Sequence, residues 1–316
     1  MKYLWIGLSV LAFLAAIVAL IAYICFRMAF YVPKKRPVAE EYPVPDGKEY
    51  IPYREQMIGW IKESRALPHE DVQITSFDGL TLRGRYYEYA PGAPIELMLH
   101  GYRGESERDM SGGVHRCFAL GRSALVVDQR ACGRSEGTVI TFGAKEHKDC
   151  LSWVEFMVRR FGPDVKIILT GISMGASTVL MASGQELPEN VIGILADCGY
   201  TSAREIIHKI LRQIRLPIRL VYPFVKLGAR RFAGFDLEQA DARKAVQNCT
   251  RPVIFYHGDG DDFVPWEMSR DNHAACPARK KLVIIPGAGH GLSFPADQER
   301  YVAELGEFFG PEASAD

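Results

Sequence analysis

Residues 171–176 read GISMGA and place Ser173 between two glycines. The pattern G-x-S-x-G is short enough to arise by chance, so the flanking residues decide its meaning. VKIILTG at 165–171 precedes the serine as an apolar, β-rich run, and MGASTVLMASGQEL at 174–187 follows it as a segment of helical character. A serine at such a strand-to-helix elbow is typical of a nucleophile, because the tight turn requires small neighbours and the helix start offers free N–H groups.

Short apolar runs like the one before Ser173 recur along the chain. They predict buried parallel strands at 95–100, 124–128, 165–171, 191–197, 252–258 and 281–287. Segments of helical length separate them, and VQITS and LTLRGRYYEY around Asp78-Gly79 predict an antiparallel pair before them. The alternation predicts an α/β fold with a mostly parallel sheet and helices on both faces. Ligands of such sheets bind at the carboxyl ends of the strands.

A serine hydroxyl needs a base to become a nucleophile, and the base needs a group that fixes its tautomer. HGDGDDFVP at 257–265 and GAGHG at 287–291 follow two successive predicted strands. The second motif supplies a histidine, His290. The first supplies Asp259, Asp261 and Asp262 as candidate acids, and Asp197, which ends another predicted strand, is a further candidate.

These motifs, together with LHGYRG at 99–104 and DQRACGRSEG at 128–137, resemble the α/β-hydrolase superfamily over about residues 67–312. Within that superfamily the chain is most similar to bacterial membrane-anchored serine hydrolases related to prolyl-oligopeptidase-like esterases. The resemblance implies an α/β-hydrolase fold with a small helical lid. It also implies a catalytic triad in the chain order Ser, Asp, His.

The resemblance assigns the triad to particular residues. It implies that Ser173 is the nucleophile, His290 the base and Asp261 the acid. Asp259 and Asp262 are then loop or helix-capping carboxylates.

The same resemblance implies an oxyanion hole made of two backbone N–H groups, those of Tyr102 and Met174. Gly171 and Gly175 are then the small residues that the elbow requires. His100 of the LHGYRG motif is expected to support the loop rather than to act as a base.

Composition excludes several other classes of function. The 316 residues suit one α/β domain, and the 38 basic residues balance the 38 acidic ones, so no global charge attracts nucleic acid. The seven cysteines are scattered without paired spacing, and we interpret them, including Cys132 and Cys198, as reduced core thiols. Arg130 and Arg134 are expected to form internal ion pairs rather than to hold an acidic substrate. No metal or organic cofactor is expected.

An uncharged apolar run from Tyr3 to Phe26 is long enough to span a bilayer and longer than the apolar part of a signal peptide. More basic residues follow this run than precede it: Arg27 and the basic residues at 34–36 come after it, and Lys2 comes before it. By the positive-inside rule this asymmetry predicts a single-pass membrane protein with a cytoplasmic catalytic domain.

The sequence predicts three segments: an anchor at 1–32, a juxtamembrane tether at 33–66 and a hydrolase domain at 67–316. The tether is rich in proline and charge, with a short helix envisaged around IGWIKE at 58–63. The segment at about 199–245 is longer than a single crossover helix requires, and we interpret it as a basic, amphipathic lid. Its basic face either rests on anionic lipid or is exposed to solvent.

The sequence therefore predicts a serine hydrolase that cleaves a carboxylic ester or thioester through an acyl-enzyme. Attachment to the membrane at 3–26, and a membrane contact of the basic lid, favour a lipid-like or acylated small-molecule substrate. A prolyl-oligopeptidase-like serine peptidase and a non-hydrolytic binding module are the alternatives. The intact triad candidates argue against the binding module.

Overall fold

The computed structural model of the chain describes residues 1–33 and 41–310; the basic residues predicted to orient the anchor at 34–36 lie outside these ranges. Within them, eight strands form one sheet. The strands are β1 (Glu70–Thr75), β2 (Thr81–Tyr87), β3 (Ile95–Leu99), β4 (Ser123–Asp128), β5 (Ile167–Ile172), β6 (Val191–Asp197), β7 (Val253–Gly258) and β8 (Lys280–Ile285). Their order across the sheet is β1-β2-β4-β3-β5-β6-β7-β8.

Strands β3 to β8 are paired in parallel, whereas β2 is antiparallel to both β1 and β4. The predicted α/β fold with a mostly parallel sheet is confirmed. The antiparallel pair around Asp78-Gly79 is also confirmed, with Thr75 opposite Thr81 at its closed end. Burial explains the parallel part, because β3, β4 and β7 are buried at every residue and read as continuous apolar runs.

Helices cover the sheet. In the part of the chain that the structure describes, the α-helices are α1 (Lys2–Ala29), α2 (Arg54–Ala66), α3 (Ser106–Ala119), α4 (Glu146–Phe161), α5 (Met174–Ser183), α6 (Ala203–Gln213), α7 (Ile218–Gly228), α8 (Ala242–Ala245), α9 (Glu267–Ala275), α10 (Ser293–Ala296) and α11 (Gln298–Phe309). Alternate residues of β3 show the two faces: Leu97 packs in the cluster of α4 and α5, and Met98 packs in the cluster of α3. Helices therefore lie on both sides, as predicted.

Helix α2 corrects the predicted tether at 33–66. Its Met57, Trp60 and Ile61 are buried in one cluster with β6, β7, β8 and α11. Their spacing places them on one helical face, so residues 54–66 belong to the folded body. A 3₁₀ helix at Lys48–Tyr53 leads into α2, and residues 34–40 of the predicted tether lie outside the described residues.

The end of α1 also belongs to the folded body, contrary to a separate anchor at 1–32. Phe26 and Phe30 are buried in the main core. The chain then pairs with the loop before α4: Val32 N–H donates to Thr138 O, and Ile140 N–H donates to Phe30 O. By length and composition α1 can cross a membrane, although a signal sequence has the same character.

The insertion at 199–245, between β6 and β7, is helical as predicted; α6 packs on the main core and α7 packs beside α1. A Cβ added at Gly228 of α7 would lie 2.6 Å from the Ala22 carbonyl oxygen of α1, so the two helices touch through small residues. Phe232, in the π-helix Ala229–Ala233 that follows α7, contacts the ring of Tyr23 at 5.3 Å. The insertion is thus held between the hydrolase body and the end of α1.

A buried ion cluster surrounds Glu96, the second residue of the central strand β3. Glu96 of β3 accepts from Arg116 Nη2 at 2.5 Å and from Arg122 Nη1 at 2.7 Å. All three side chains are almost fully buried. Burial opposes ionisation of Glu96, but the two guanidinium charges outweigh it and lower its pKa from 4.5 to about 2.

Glu96→Gln is expected to lower the free energy of unfolding by about 3–5 kcal/mol, because it leaves two buried guanidinium groups without an anionic partner. Between pH 4.5 and 2 the unfolded wild type binds more protons than the folded one at this position. The stability difference should therefore be full above pH 4.5 and shrink as pH falls toward 2. The loss of stability is measured by thermal unfolding of both proteins in the same detergent, with Glu155→Gln, a change at an exposed position, as control. Equal unfolding midpoints for Glu96→Gln and wild type at neutral pH would contradict the prediction.

Candidate active site

Ser173 lies at the turn between β5 and α5, at the carboxyl edge of the parallel strands. Its backbone has φ 57° and ψ −118°, a strained conformation for a residue other than glycine. A Cβ added at Gly175 would collide with the carbonyl oxygen of Leu99, and one at Gly171 would collide with the backbone of Gly175. Both elbow positions therefore require glycine for close packing of strand against helix.

The structure brings Ser173, His290 and Asp261 into one hydrogen-bonded chain. Ser173 Oγ lies 2.8 Å from His290 Nε2, and His290 Nδ1 lies 2.7 Å from Asp261 Oδ2. Since the carboxylate can only accept, Nδ1 carries the ring proton, and Nε2 is free to accept from the serine hydroxyl. This is the arrangement that general-base activation of a serine requires.

Asp261 is held as an anion by four donors. Oδ1 accepts from the N–H groups of Phe263 at 2.8 Å and Val264 at 2.7 Å, and Oδ2 also accepts from His257 Nε2 at 3.1 Å. Burial raises the pKa of Asp261, but the hydrogen bonds from His257 and His290 outweigh burial and hold the pKa well below its ordinary value. The carboxylate is therefore ionised at every pH at which the chain would work.

The other candidate acids have different partners. Asp259 Oδ1 accepts from Gly287 N–H, and Asp197 accepts from the hydroxyls of Ser293 and Tyr301. Asp262 accepts from Lys209 of α6 through its backbone carbonyl. Asp261 is the candidate that contacts His290.

The two backbone N–H groups predicted to form an oxyanion hole are those of Tyr102, in the loop after β3, and of Met174, which follows Ser173 in the chain. Met174 is the first residue of α5, where N–H groups have no partner within the helix. Among the residues that the structure describes, neither N–H group has a hydrogen-bond acceptor. The loop after β3 approaches the serine at Gly101, because a Cβ added there would lie 3.5 Å from Ser173 Cβ.

The cleft above Ser173 and His290 has a volume of about 340 Å³. Its described lining residues include Pro45, Asp46 and Tyr50 from the segment before α2, and none from the insertion at 199–245. This corrects the predicted lid: the N-terminal segment borders the cleft, and α6 reaches only the loop that carries Asp262. A cavity of about 60 Å³ adjoins the cleft and shares Met57 of α2 with it.

Sequence reasoning missed three residues around the histidine. Tyr50 Oη donates to the His290 carbonyl at 2.8 Å, and the Phe263 ring meets the imidazole edge-on at 5.0 Å. His257 Nε2 also donates to Val264 O at 2.9 Å, so its Nδ1 accepts from Ser269 Oγ. The Tyr50 contact joins segments distant in the chain, whereas His257 and Phe263 both lie in the HGDGDDFVP motif and carried a local signal.

Several other predicted residues are structural. His100 Nε2 accepts from Gln129 N–H at 3.0 Å. Arg130 binds Asp149 through two nitrogens at 2.6 Å, and Arg134 pairs with Asp71 at 2.5 Å.

One group of potential metal ligands coincides with the triad. Atoms of Cys198, Asp261 and His290 lie within 4.8 Å of one another. The Asp261 carboxylate is already occupied by the hydrogen bonds described above, which suits an orienting role better than metal binding.

Comparison with known proteins fits this geometry. A model of the alpha/beta hydrolase family matches residues 97–305, which include all three triad candidates. The chain belongs to the alpha/beta hydrolase family. Membership of the family supports a hydrolase activity.

Individual members of the alpha/beta hydrolase family resemble the chain to different extents. An uncharacterized protein of Bacillus subtilis, YqkD, is 24% identical over 62% of this chain and 64% of its own length. A thiohydrolase of Aspergillus aculeatus is 29% identical over 39% of each chain. An esterase of Pyrococcus furiosus has the same fold, with a TM-score of 0.64 at 19% identity over 86% of this chain and 98% of that one.

Proposed function

We propose that the chain is a serine hydrolase that cleaves a carboxylic ester or thioester through an acyl-enzyme. The observation that carries this proposal is the chain of contacts from Ser173 Oγ through His290 to Asp261, at 2.8 and 2.7 Å. Two N–H groups without described acceptors support it, those of Tyr102 in the cleft lining and of Met174 next to the serine, because an oxyanion needs such donors.

In the proposed reaction, Ser173 Oγ attacks the acyl carbonyl carbon and its proton passes to His290 Nε2. Asp261 keeps the imidazole oriented and stabilises its positive charge. The N–H groups of Tyr102 and Met174 donate to the oxyanion. His290 then protonates the departing alkoxide or thiolate, and a water deprotonated by His290 releases the carboxylic acid and restores Ser173.

The class of bond rests on family likeness and on the cleft. A thiohydrolase is among the relatives similar in sequence, which favours activated acyl groups such as thioesters. The cleft is open at the surface and continues into the smaller cavity beside Met57, which would receive an acyl chain. A lipid-like or acylated substrate is favoured because α1 would hold the cleft near a bilayer.

The test is fluorophosphonate labelling of the full chain in detergent, followed by a panel of p-nitrophenyl esters, acyl thioesters and prolyl amides. We expect labelling, and hydrolysis of esters or thioesters. Preferential cleavage of prolyl amides would favour the peptidase instead. A chain that neither labels nor hydrolyses any member of the panel would contradict the proposed function and favour a binding module.

We also propose that α1 anchors the chain in a membrane, with the hydrolase body on the cytoplasmic side. Tyr3–Phe26 would span the bilayer, which places the contacts of Ala22 and Phe26 with α7 near the lipid headgroups. The link from α6 to α7 and the first turn of α7, together called the α6–α7 turn (residues 214–220), expose Ile214 and Leu220 beside arginines. This composition suits an anionic membrane surface.

This surface is tested with a fluorophore attached to Leu220→Cys. The full chain also carries Cys25→Ser, which removes the one partly exposed native cysteine of the described residues, and it is reconstituted in nanodiscs that contain phosphatidylglycerol. We expect a blue-shifted emission relative to the same label on Glu299→Cys of α11. Removing phosphatidylglycerol should reduce the shift, since each basic residue near an anionic surface contributes about 1 kcal/mol. Equal emission at the two sites would place the α6–α7 turn in water.

A further inference from the structure

The last turn of α1 meets the loop that carries one of the two proposed oxyanion donors. This loop, residues 101–104, follows β3 and contains Tyr102 and Arg103. We propose that the end of α1 is a positioning element of the oxyanion hole, acting through the side chains of Tyr102 and Arg103. The inference rests on the proposed function and adds a role in catalysis for the N-terminal helix.

The Tyr102 side chain ties the loop to α1 by a hydrogen bond and by ring packing. Its Oη donates to the carbonyl of Ala29 at 2.9 Å. Its ring packs on Phe142 at 5.3 Å, and Phe142 packs on the buried Phe30 at 5.8 Å. Tyr102 is therefore tied directly to Ala29 of α1 and, through Phe142, to Phe30, the residue that follows the helix.

Arg103 makes the second connection. One of its guanidinium nitrogens, Nη2, donates to the carbonyls of Met28 at 2.9 Å and Tyr31 at 3.1 Å. The last carbonyls of a helix lack partners within it, and a cation is favoured at that end of the helix dipole. Arg103 and Tyr102 thus complete the end of α1 with side chains from the oxyanion loop.

The backbone of the loop would not adopt this conformation without support. Arg103 has φ 53°, a left-handed conformation that costs free energy for residues other than glycine and asparagine. The contacts of its side chain with α1 offset that cost. A loop released from α1 would relax and move the Tyr102 N–H away from the oxyanion, and misplacement by about 1 Å can lower a rate about 100-fold.

Two substitutions remove the contacts and leave the backbone groups in place. Tyr102→Phe keeps the ring that packs on Phe142 and removes only the hydroxyl. Arg103→Asn tolerates the left-handed backbone, since asparagine is enriched there, but cannot reach the helix end. Each is compared in the full chain with Arg160→Asn, which breaks the surface ion pair of Arg160 with Glu70.

With a water-soluble ester, we expect the double variant Tyr102→Phe/Arg103→Asn to lose about 10- to 100-fold in kcat, with KM changed less than about threefold. Each single variant should lose less, and Arg103→Lys should recover part of the loss because an ammonium reaches one carbonyl. Arg160→Asn should match wild type. A loss confined to kcat, with unchanged unfolding midpoints in the single variants, separates positioning from general destabilisation.

Unchanged kcat in both single variants and in the double variant would overturn the inference and leave the proposed function standing, provided that wild type labels and hydrolyses esters. A parallel fall in kcat and unfolding midpoint, without recovery in Arg103→Lys, would also overturn it. A wild type inert toward every ester would overturn both the proposed function and this inference.

Discussion

Ser173→Ala is expected to lower kcat for the preferred ester by about a millionfold, the loss expected when the nucleophile of an assembled triad is removed. The physical reason is that no other hydroxyl lies 2.8 Å from His290 Nε2 in the described contacts of this imidazole. The variant should also fail to react with a fluorophosphonate. Burst and steady-state kinetics with a p-nitrophenyl ester measure the effect.

Cys198 provides the matched control for this variant. Its thiol lies near His290 and Asp261, and burial raises its pKa well above the ordinary value, which keeps it a neutral thiol. Cys198→Ala should therefore retain labelling. If Ser173→Ala still labelled and Cys198→Ala did not, the assignment of the nucleophile would be wrong.

Asp261→Asn is expected to lower kcat by about 10⁴-fold. An amide can present an N–H toward His290, which favours the tautomer that has its proton on Nε2. The imidazole then donates toward Ser173 instead of accepting from it. A pH profile accompanies the measurement, because hydroxide partly replaces the missing base at high pH.

Asp259→Asn and Asp262→Asn are the matched controls, since both side chains lie in the same motif. Asparagine at 259 retains an oxygen that can accept from Gly287 N–H. Asp262 contacts Lys209 through its backbone carbonyl. Both variants should keep activity within about threefold of wild type; a loss at either that equals the loss at Asp261 would reassign the acid.

The predicted strands followed from local patterns. β5 is an apolar run, and the elbow after it contains the glycines that close backbone contacts require there. Both features can be recognised from the local sequence. The strands predicted at 191–197 and 252–258 lie within one residue of β6 and β7. His290 and Asp261 were predictable as candidates because each follows a parallel strand and so lies at the same carboxyl edge of the sheet as Ser173.

The roles of residues 26–33 and 41–66 were not predictable, because long-range contacts determine them. Phe26 and Phe30 occur in or beside an apolar run. In such a run the same residue types serve in a protein core and on a lipid-facing surface, so the sequence does not distinguish the two. Met57 and Trp60 have helical spacing, but charged neighbours obscured the pattern. Tyr50 donates to a backbone carbonyl 240 positions away, a contact that leaves no motif.

The insertion was misinterpreted for a related reason. Its length and basic helices suggested a lid, and helical character was correctly predicted. Which surface it covers depends on α7 packing against α1 at Gly228 and Ala22, two small residues that are unremarkable in their own segments.

The burial of Phe30 has a consequence for synthesis. Its partner ring Phe235 lies 5.3 Å away in the fold but 205 positions later in the chain. At about 5–20 residues per second, a ribosome would deliver that partner roughly 10–40 s after Phe30 emerges. During that interval the aromatic end of α1 would need other cover, and a lipid headgroup layer would provide it until translation completes the hydrolase body.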